Sequence, residues 1–588
     1  MGIVERFKTQ QIKGGAIVSR LLQAEGVEVA FGIGDGTYLG MIASFGDHGI
    51  ELITPRHESN SVHMAGAYAR LTGKIGVAIA SNGPGVANAL PGVAVEQAEG
   101  NRVLLITSCR RAPIVDPDRG GTYQYFPQVD VIGAMAKFSV MVPSADRLAE
   151  LLRRALRVCH TGRPGVVHID IPETVFNGVF EDDPRWYREP ASYRSVQPLQ
   201  PHPSVVERAF ELLLRAERPL IHAGSGVIHS GAFDAVKQLA HRMGIPITSS
   251  WAARAVADER DEMVIPMGYV GAVKRARNEA DLVLVLGSRL GETDWWGKAP
   301  YWAPPERQQL IQVDLDLEHL ANNRPVALPV QADVGAFLDS LLSLARGPAP
   351  ADRLAWVASL RKDCKKRRTK LDKHLKKSMV PMHPAHVGHT CDRVFPDDAI
   401  LVIDGGNTAI WANFFHEVRS PNTVLTTPKM GMLGAGVAQA IAAKVACPER
   451  EVYCIIGDGA MGFHQQEIET AVRAGLQVTW LVLCDKQWGM VKINQQFSLK
   501  PVKTLVMGGL SPEETVNTEI GETRFDDLAR AMGAHGERVA DSNGLEGAIA
   551  RCRASGKPAV IHVDVDPKAH LWAPELRTFK AMHQEPRG

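Results

Sequence analysis

The sequence predicts an α/β protein of three consecutive parallel-sheet domains, with helices on both faces of each sheet. Three observations carry that expectation. Short apolar runs of strand length recur between helix-length segments, the rhythm of a parallel sheet covered by helices. The chain has 588 residues, enough for about three or four domains. Two segments of different character, one proline-bearing and one basic, separate the three regions where that rhythm holds.

The first region spans residues 10–180. GAIVSRLLQAEG reads as an amphipathic helix and VEVAFGI as a strand. ELITP, IGVAIA, RVLLIT and VVHIDIP supply further strands, the last at 166–172. REPASYRSVQPLQPHPS, residues 188–204, reads as a linker. The second region spans 200–345, with strands RPLIHAGSG, IPITSS, ADLVLVLGSR and QQLIQVDLD. Its HAGSGVIHSGA turn lacks a full Gly-x-Gly-x-x-Gly, so dinucleotide binding is not expected there. The basic run RKDCKKRRTKLDKHLKKS, residues 361–378, reads as a solvated helical face. The third region spans 380–575, with strands AILVID, VYCIIGDG, VTWLVLCD and AVIHVDVD.

Composition narrows the function classes. The chain is 45% hydrophobic and 22% charged, ordinary for a globular protein. A net charge of +1 provides no field that would favour nucleic acid or an anionic membrane. No apolar run approaches the roughly 20 residues that span a bilayer. MGIVERFKTQQIKGG lacks the apolar core of a secretory signal. The eight cysteines are scattered without a Cys-x-x-Cys pair, so neither a disulfide framework nor a zinc ribbon is expected. A reducing cytoplasm is the expected home. His383, His386, His389 and Cys391 have ligand-like spacing, but the start of a helix entering the third region explains them better than zinc.

The chemistry concentrates at IIGDGAMGF. An apolar strand ends abruptly in Gly457-Asp458-Gly459, which a tight turn alone would explain. A helix follows, roughly HQQEIETAVRAG, with Gly475 placed to end it. The next strand ends in Asp485. One crossover helix places the two strands side by side or nearly so, and ligands of open α/β sheets bind at the carboxyl edge. Two carboxylates there could share a cation. Mg²⁺ takes one or two carboxylates plus phosphate oxygens, and the Gly459 and Ala460 amides would favour a phosphate. No Gly-x4-Gly-Lys-Ser/Thr motif is present, which disfavours a P-loop site.

GDGAMGFHQQEIETAVRAGLQVTWLVLCDKQWG resembles the thiamine diphosphate motif, Gly-Asp-Gly followed one helix and one strand later by Asn-Asn. The resemblance implies that Asp458, Asp485 and the main-chain carbonyl of Gln487 ligate Mg²⁺. Here Cys484-Asp485 stands for Asn-Asn, which keeps an oxygen and adds a charge. ITPRHESNSVHMAGAYARLTGK resembles the family's first-domain motif, and Glu58 takes the place of its catalytic glutamate. That carboxylate hydrogen-bonds the aminopyrimidine ring, whose imino form removes the thiazolium proton to give the ylid. By itself Glu58 would read as a first-turn acid complementing the helix dipole. SNGPGVANALPG also stands in its family place.

VIDGGNTAIW resembles the loop beside the diphosphate, with Gly406, Asn407 and Thr408 at cofactor-contacting positions. KMGMLGAGVAQAIAAK resembles the cradle of the aminopyrimidine, where Gly431 gives a carbonyl and Leu433 bends the cofactor. Gly457, Gly459, Ala460, Gly489 and Met490 complete the implied cofactor set. Asp35, Asn82, Gln124, Trp488 and Lys492 are the implied substrate-pocket residues, although Asp35 reads equally as a turn aspartate. In the family the first domain of one subunit meets the third of another. A homodimer is therefore the minimum, and a homotetramer is expected.

The resemblance covers nearly the whole chain and points to the branch containing acetolactate synthase, benzaldehyde lyase, oxalyl-CoA decarboxylase and 2-hydroxyacyl-CoA lyase. It implies a carbon–carbon lyase or carboligase acting through an acyl anion. The substrate would be a small molecule: a 2-hydroxyacyl thioester, a 2-oxo acid or an aldehyde. The family's Phe-Gln-Glu-Val-Asp becomes Phe126-Pro127-Gln128-Val129-Asp130, Thr293 replaces a substrate-binding arginine, and Asn494 stands where tryptophan is expected. YQYFPQVDVIGAMAKFS resembles a 2-hydroxyacyl-CoA lyase segment, which favours that reading. The alternative is an acetolactate synthase-like carboligase or a 2-oxo acid decarboxylase. A non-catalytic thiamine-binding regulator is disfavoured by the presence of Glu58. FAD, or ADP or CoA, in the central region is allowed by the family and supported by no residue here.

Overall fold

A computed structural model of the chain describes residues 11–582. The first ten residues, which carry part of the leader reading and the first expected domain limit, lie outside that span. Residues up to Gln197 form one compact unit and residues from Pro198 a second. The division falls inside the proline-bearing stretch read as a linker.

In the first unit the strands are β1 (Gln11–Lys13), β2 (Val29–Gly32), β3 (Glu51–Ile53), β4 (Gly76–Ala80), β5 (Val103–Cys109), β6 (Phe138–Met141), β7 (Val166–Pro172) and β8 (Val179–Glu181). Six of them form a parallel sheet in the order β3-β2-β4-β5-β7-β6, while β1 and β8 pair antiparallel apart from it. One core packs Ile17, Leu21, Leu148, Leu152 and Leu156 of two helices against Val77, Leu104, Ile106, Val167 and Ile169.

Helix Glu58–Thr72 and helix Pro84–Glu99 pack so closely that glycine is needed between them. A Cβ on Gly92 would lie 2.7 Å from the Ser59 carbonyl, and one on Gly66 would overlap the Glu96 carboxylate. Glu96 is fully buried and is held by His63 and Asn101. This close approach brings the start of one helix, Glu58, to the first turn of the other.

The second unit contains two parallel sheets. The first has β9 (Pro219–Ala223), β10 (Ile247–Ser249), β11 (Leu282–Leu286), β12 (Gln309–Asp314) and β13 (Leu328–Gln331), in the order β10-β9-β11-β12-β13. The second has β14 (Ile400–Asp404), β15 (Val424–Leu425), β16 (Val452–Gly457), β17 (Thr479–Cys484), β18 (His535–Val539) and β19 (Ala559–Asp564), in the order β15-β14-β16-β17-β19-β18. Buried Arg254 ties the two sheets together: it forks onto Glu259 at 2.8–2.9 Å and donates to the carbonyls of Asn413 and His416.

The predicted parallel sheets are all present, so the α/β fold class holds. Strands that sequence reading passed over lie at sheet edges or apart from the main sheets: β1, β6, β8, β13, β15 and β18. The basic run lies partly on helix Ala351–Leu371, which buries Trp356, Val357 and Leu360 and leaves most of its lysines exposed, as a solvated face does. All eight cysteines are free, and all but Cys447 are buried. His383 lies 3.3 Å from His374 and edge-on to Trp411, while Cys391 is in the core. Among the described residues no helix is long and apolar enough to cross a membrane.

Candidate active site

The two aspartates meet as the crossover geometry requires. β16 and β17 are hydrogen-bonded neighbours, with Gly457 opposite Leu483, so Asp458 and Asp485 leave adjacent strands at the same edge. The intervening segment is not the single helix expected. It divides into Asp458–His464 and Glu467–Arg473, and Gly475, at φ 65°, ends the second.

Asp458 is pinned by main-chain amides. Its Oδ1 accepts from Gly459 N at 2.8 Å and its Oδ2 from Lys486 N at 2.8 Å, which ties the two strand ends together. Lys486 takes a left-handed φ of 59° to present that amide. Asp485 accepts from Gln487 Nε2 at 2.9 Å and from His570 Nδ1 at 2.5 Å, both on Oδ2. Both aspartates are buried. Burial, and then the charge of Asp485, push the Asp458 carboxyl up to about 6.

Contacts show how tightly the other implied residues gather here. A Cβ on Gly459 would strike the Trp488 ring at 2.6 Å, and one on Gly489 would meet Asn407 Nδ2 at 2.8 Å. A Cβ on Gly406 would lie 3.0 Å from Met490 Cβ, and one on Gly457 would lie 3.0 Å from Thr408 Oγ1. Both side-chain polar atoms of Asn407 are buried and have no hydrogen-bond partner among the described residues. Leaving such atoms unmatched costs about 1–3 kcal/mol each, so they call for a polar ligand. Two buried carboxylates and an orphaned amide at the start of a helix suit a hard divalent cation carrying an anion.

Gly431 turns at φ 60° and is exposed, Leu433 is half-buried and Ala460 is buried. Sequence reading missed Asp404, whose Oδ2 accepts from Gly434 N and Gly436 N and so anchors the loop that carries Leu433. It also missed His570, which no local motif marks. Lys492, an implied pocket residue, is buried and ion-paired with Glu519.

In the first unit the implied residues also gather. Glu58 Oε2 accepts from Asn88 Nδ2 at 3.0 Å, and the His57 imidazole caps its helix by accepting from Ser59 N. Burial, then the charges of Asp35 and Glu58, push the Tyr38 phenol up. Asp35 accepts from Thr37 N at 2.8 Å and Thr37 Oγ1 at 2.6 Å, the turn role its sequence equally allowed. Thr37 then meets Ser108 Oγ, which accepts from Asn82 N, and Asn82 Nδ2 donates to the Gln124 carbonyl. Asp35, Asn82 and Gln124 thus share one network through Ser108, a residue the sequence reading did not single out.

Gln128 is part of the scaffold beneath this network. Its Nε2 donates to Asp170 Oδ1 at 2.7 Å and to the Ser108 carbonyl at 2.9 Å. Burial lifts the Asp170 carboxyl from 3.8 to about 6, against the hydrogen bonds of Thr107 and Gln128. The folded protein therefore binds this proton more tightly than the unfolded chain. The stability it contributes is complete below pH 3.8 and is lost as pH rises through about 6. Asp170→Asn keeps the acceptor and stays neutral. At pH 8 it is expected to stabilise the protein by up to about 3 kcal/mol in denaturant melts. The gain should shrink steadily toward pH 5; a gain independent of pH would contradict the assignment.

Comparison with known proteins places these features in a family. Residues 12–132 match the thiamine pyrophosphate enzyme N-terminal TPP binding domain, residues 206–341 the central domain, and residues 404–563 the C-terminal TPP binding domain. An acetolactate synthase large subunit of Mycobacterium tuberculosis is 30% identical over 95% of this chain and 96% of its own length. The acetolactate synthase large subunit of Haemophilus influenzae is 27% identical over 97% of both chains. A probable acetolactate synthase large subunit of Methanocaldococcus jannaschii is 26% identical over 95% of this chain and 93% of its own.

Proposed function

Because the chain belongs to the thiamine pyrophosphate enzymes, in the superfamily of acetolactate synthase, we propose that it is a Mg²⁺-dependent carboligase or decarboxylase of 2-oxo acids. The observation that carries the site is the meeting of Asp458, Asp485 and orphaned Asn407 at one sheet edge. The observation that carries the substrate class is the run of acetolactate synthases matching the chain end to end. This ranks the acetolactate synthase-like reading above the 2-hydroxyacyl-CoA lyase reading. The segment that favoured the lyase contains Gln128, which is occupied with Asp170 and Ser108.

Thiamine diphosphate, when bound, supplies the carbon acid and the electron sink that bond breaking beside a carbonyl needs. The chain's residues do the rest. Asp458, Asp485 and the Gln487 carbonyl would hold Mg²⁺. Asn407, Thr408 and the helix start at Gly459 and Ala460 would receive the diphosphate. Gly406, Gly457, Gly489 and Met490 shape the floor by close approach. Gly431 would offer its carbonyl to the aminopyrimidine amine, and Leu433 would pack against the cofactor. Glu58 would hydrogen-bond the aminopyrimidine, and Asn88 holds its carboxylate in place. Asp35, Asn82 and Gln124 of the first unit, and Trp488 of the second, would be substrate-pocket residues by the family resemblance.

The departures from the acetolactate synthase pattern concern the acceptor. Thr293 offers no charge to a carboxylate, and Asn494 is exposed. A bidentate arginine–carboxylate pair is not replaced by a threonine hydroxyl. The donor is therefore a 2-oxo acid and the acceptor an aldehyde. Holoenzyme given pyruvate with and without added acetaldehyde should form CO₂ and, with acetaldehyde present, acetoin by mass spectrometry. Acetolactate as the main product would overturn the acceptor assignment. No turnover of any 2-oxo acid by protein that holds its cofactor would overturn the donor.

A further inference from the structure

Asp485 is the position where this chain puts a charge in place of an amide, and its carboxylate is held by an unusual partner. His570 Nδ1 lies 2.5 Å from Asp485 Oδ2, and both side chains are almost fully buried, at 4% and 2% exposure. A carboxylate only accepts, so the hydrogen sits on Nδ1. The other ring nitrogen, Nε2, lies 3.1 Å from Thr408 Oγ1. One imidazole therefore joins a cation-site residue from the end of β17 to a diphosphate-site residue from helix Asn407–Phe415.

The imidazole is set by its own backbone. Trp411 Nε1 donates to the His570 carbonyl at 3.0 Å, and His570 N donates to the Asp566 carbonyl at 2.9 Å. Gln487 Nε2 bridges Asp485 Oδ2 and the Pro567 carbonyl, at 2.9 Å to each. The short helix Pro567–Leu571 is thus tied to the Asp485 loop at two points. Two donors converge on Oδ2, and among the described residues none meets Oδ1.

We propose that His570 is a positioning residue for the cation site, which makes Asp485 act as a one-oxygen ligand. With Oδ2 committed to the imidazole, Asp485 presents only Oδ1, as the oxygen of a side-chain amide would be presented. The same ring fixes Thr408, so metal and diphosphate contacts are aligned together. Hydrogen-bond partners of metal ligands fix ligand orientation, and their loss weakens metal binding by about 10–100-fold.

This inference rests on the magnesium–diphosphate reading above, and the test separates the two. Mn²⁺ binding is measured by electron paramagnetic resonance at saturating thiamine diphosphate, alongside melting curves, in wild type, His570→Asn, Asp485→Asn and the double variant. His570→Asn should weaken Mn²⁺ binding about 10–100-fold, with turnover recovering at high metal. In the Asp485→Asn background the same change should cost much less. Should His570→Asn fail to fold, His570→Gln in the same cycle decides. Unchanged Mn²⁺ affinity in a folded variant, or an equal loss in both backgrounds, overturns the role of His570. Wild type that takes up neither metal nor cofactor overturns the site reading and this inference with it.

Discussion

Glu58→Gln is expected to lower turnover by about 10²–10⁴-fold, the usual worth of a positioned proton-transfer group. Cofactor affinity should not change. Glutamine keeps the length of the side chain and an oxygen for Asn88 Nδ2, now 3.0 Å from Glu58 Oε2. It cannot hold or release a proton at neutral pH. The helix start is secured separately by His57 and Ser59, so the substitution leaves the fold of the first unit intact. Paired measurements of kcat and of thiamine diphosphate binding by calorimetry separate the two effects. Turnover at the wild-type level would remove Glu58 from the mechanism, and loss of binding would make it a structural residue instead.

Asp458→Ala should have the largest effect on cofactor uptake. Loss of an outer-shell partner already costs about 10–100-fold in metal affinity, so loss of a ligand should exceed about 100-fold. The change also leaves the Gly459 and Lys486 amides without their acceptor. An amide orphaned in this way costs about 1–3 kcal/mol. Removing a carboxyl that burial, and then the charge of Asp485, push up to about 6 offsets part of that cost. The expected result is a protein that folds with a lower melting temperature and shows no saturable Mg²⁺-dependent binding of thiamine diphosphate. Binding within tenfold of wild type would show that the cation is held elsewhere.

Much of this site was legible because its chemistry is written in local patterns. Gly457-Asp458-Gly459 sits on a buried strand end, and one crossover later Asp485 follows another. Right-handed connection then makes the two neighbours, as β16 and β17 are. The core strands were legible as apolar runs. β13 and β18 were not: they are edge strands with burial on fewer residues, and β15 has only two residues. The break after His464 escaped because Gln465 and Gln466 suit a helix and nothing local marks an interruption.

Residues whose roles depend on distant partners were the least legible. His570 reaches Asp485 across 85 positions, and no spacing rule connects them. Ser108 joins Asp35, Asn82 and Gln124 only because β2, β4 and β5 end at one edge. Lys492 stood beside the metal motif in sequence, yet its partner Glu519 lies on a later loop and neutralises it. Gln128 drew attention as part of a resemblance, while its contacts make it a support for Asp170.

The most direct test of the account is to crystallise the protein with thiamine diphosphate and Mn²⁺ in place of Mg²⁺ and to locate the metal by anomalous scattering. One strong peak per chain is expected, ligated by Asp458, by Asp485 through a single oxygen, by the Gln487 carbonyl and by diphosphate oxygens. A peak held by other residues, or a diphosphate bound away from Asn407 and Thr408, would contradict it.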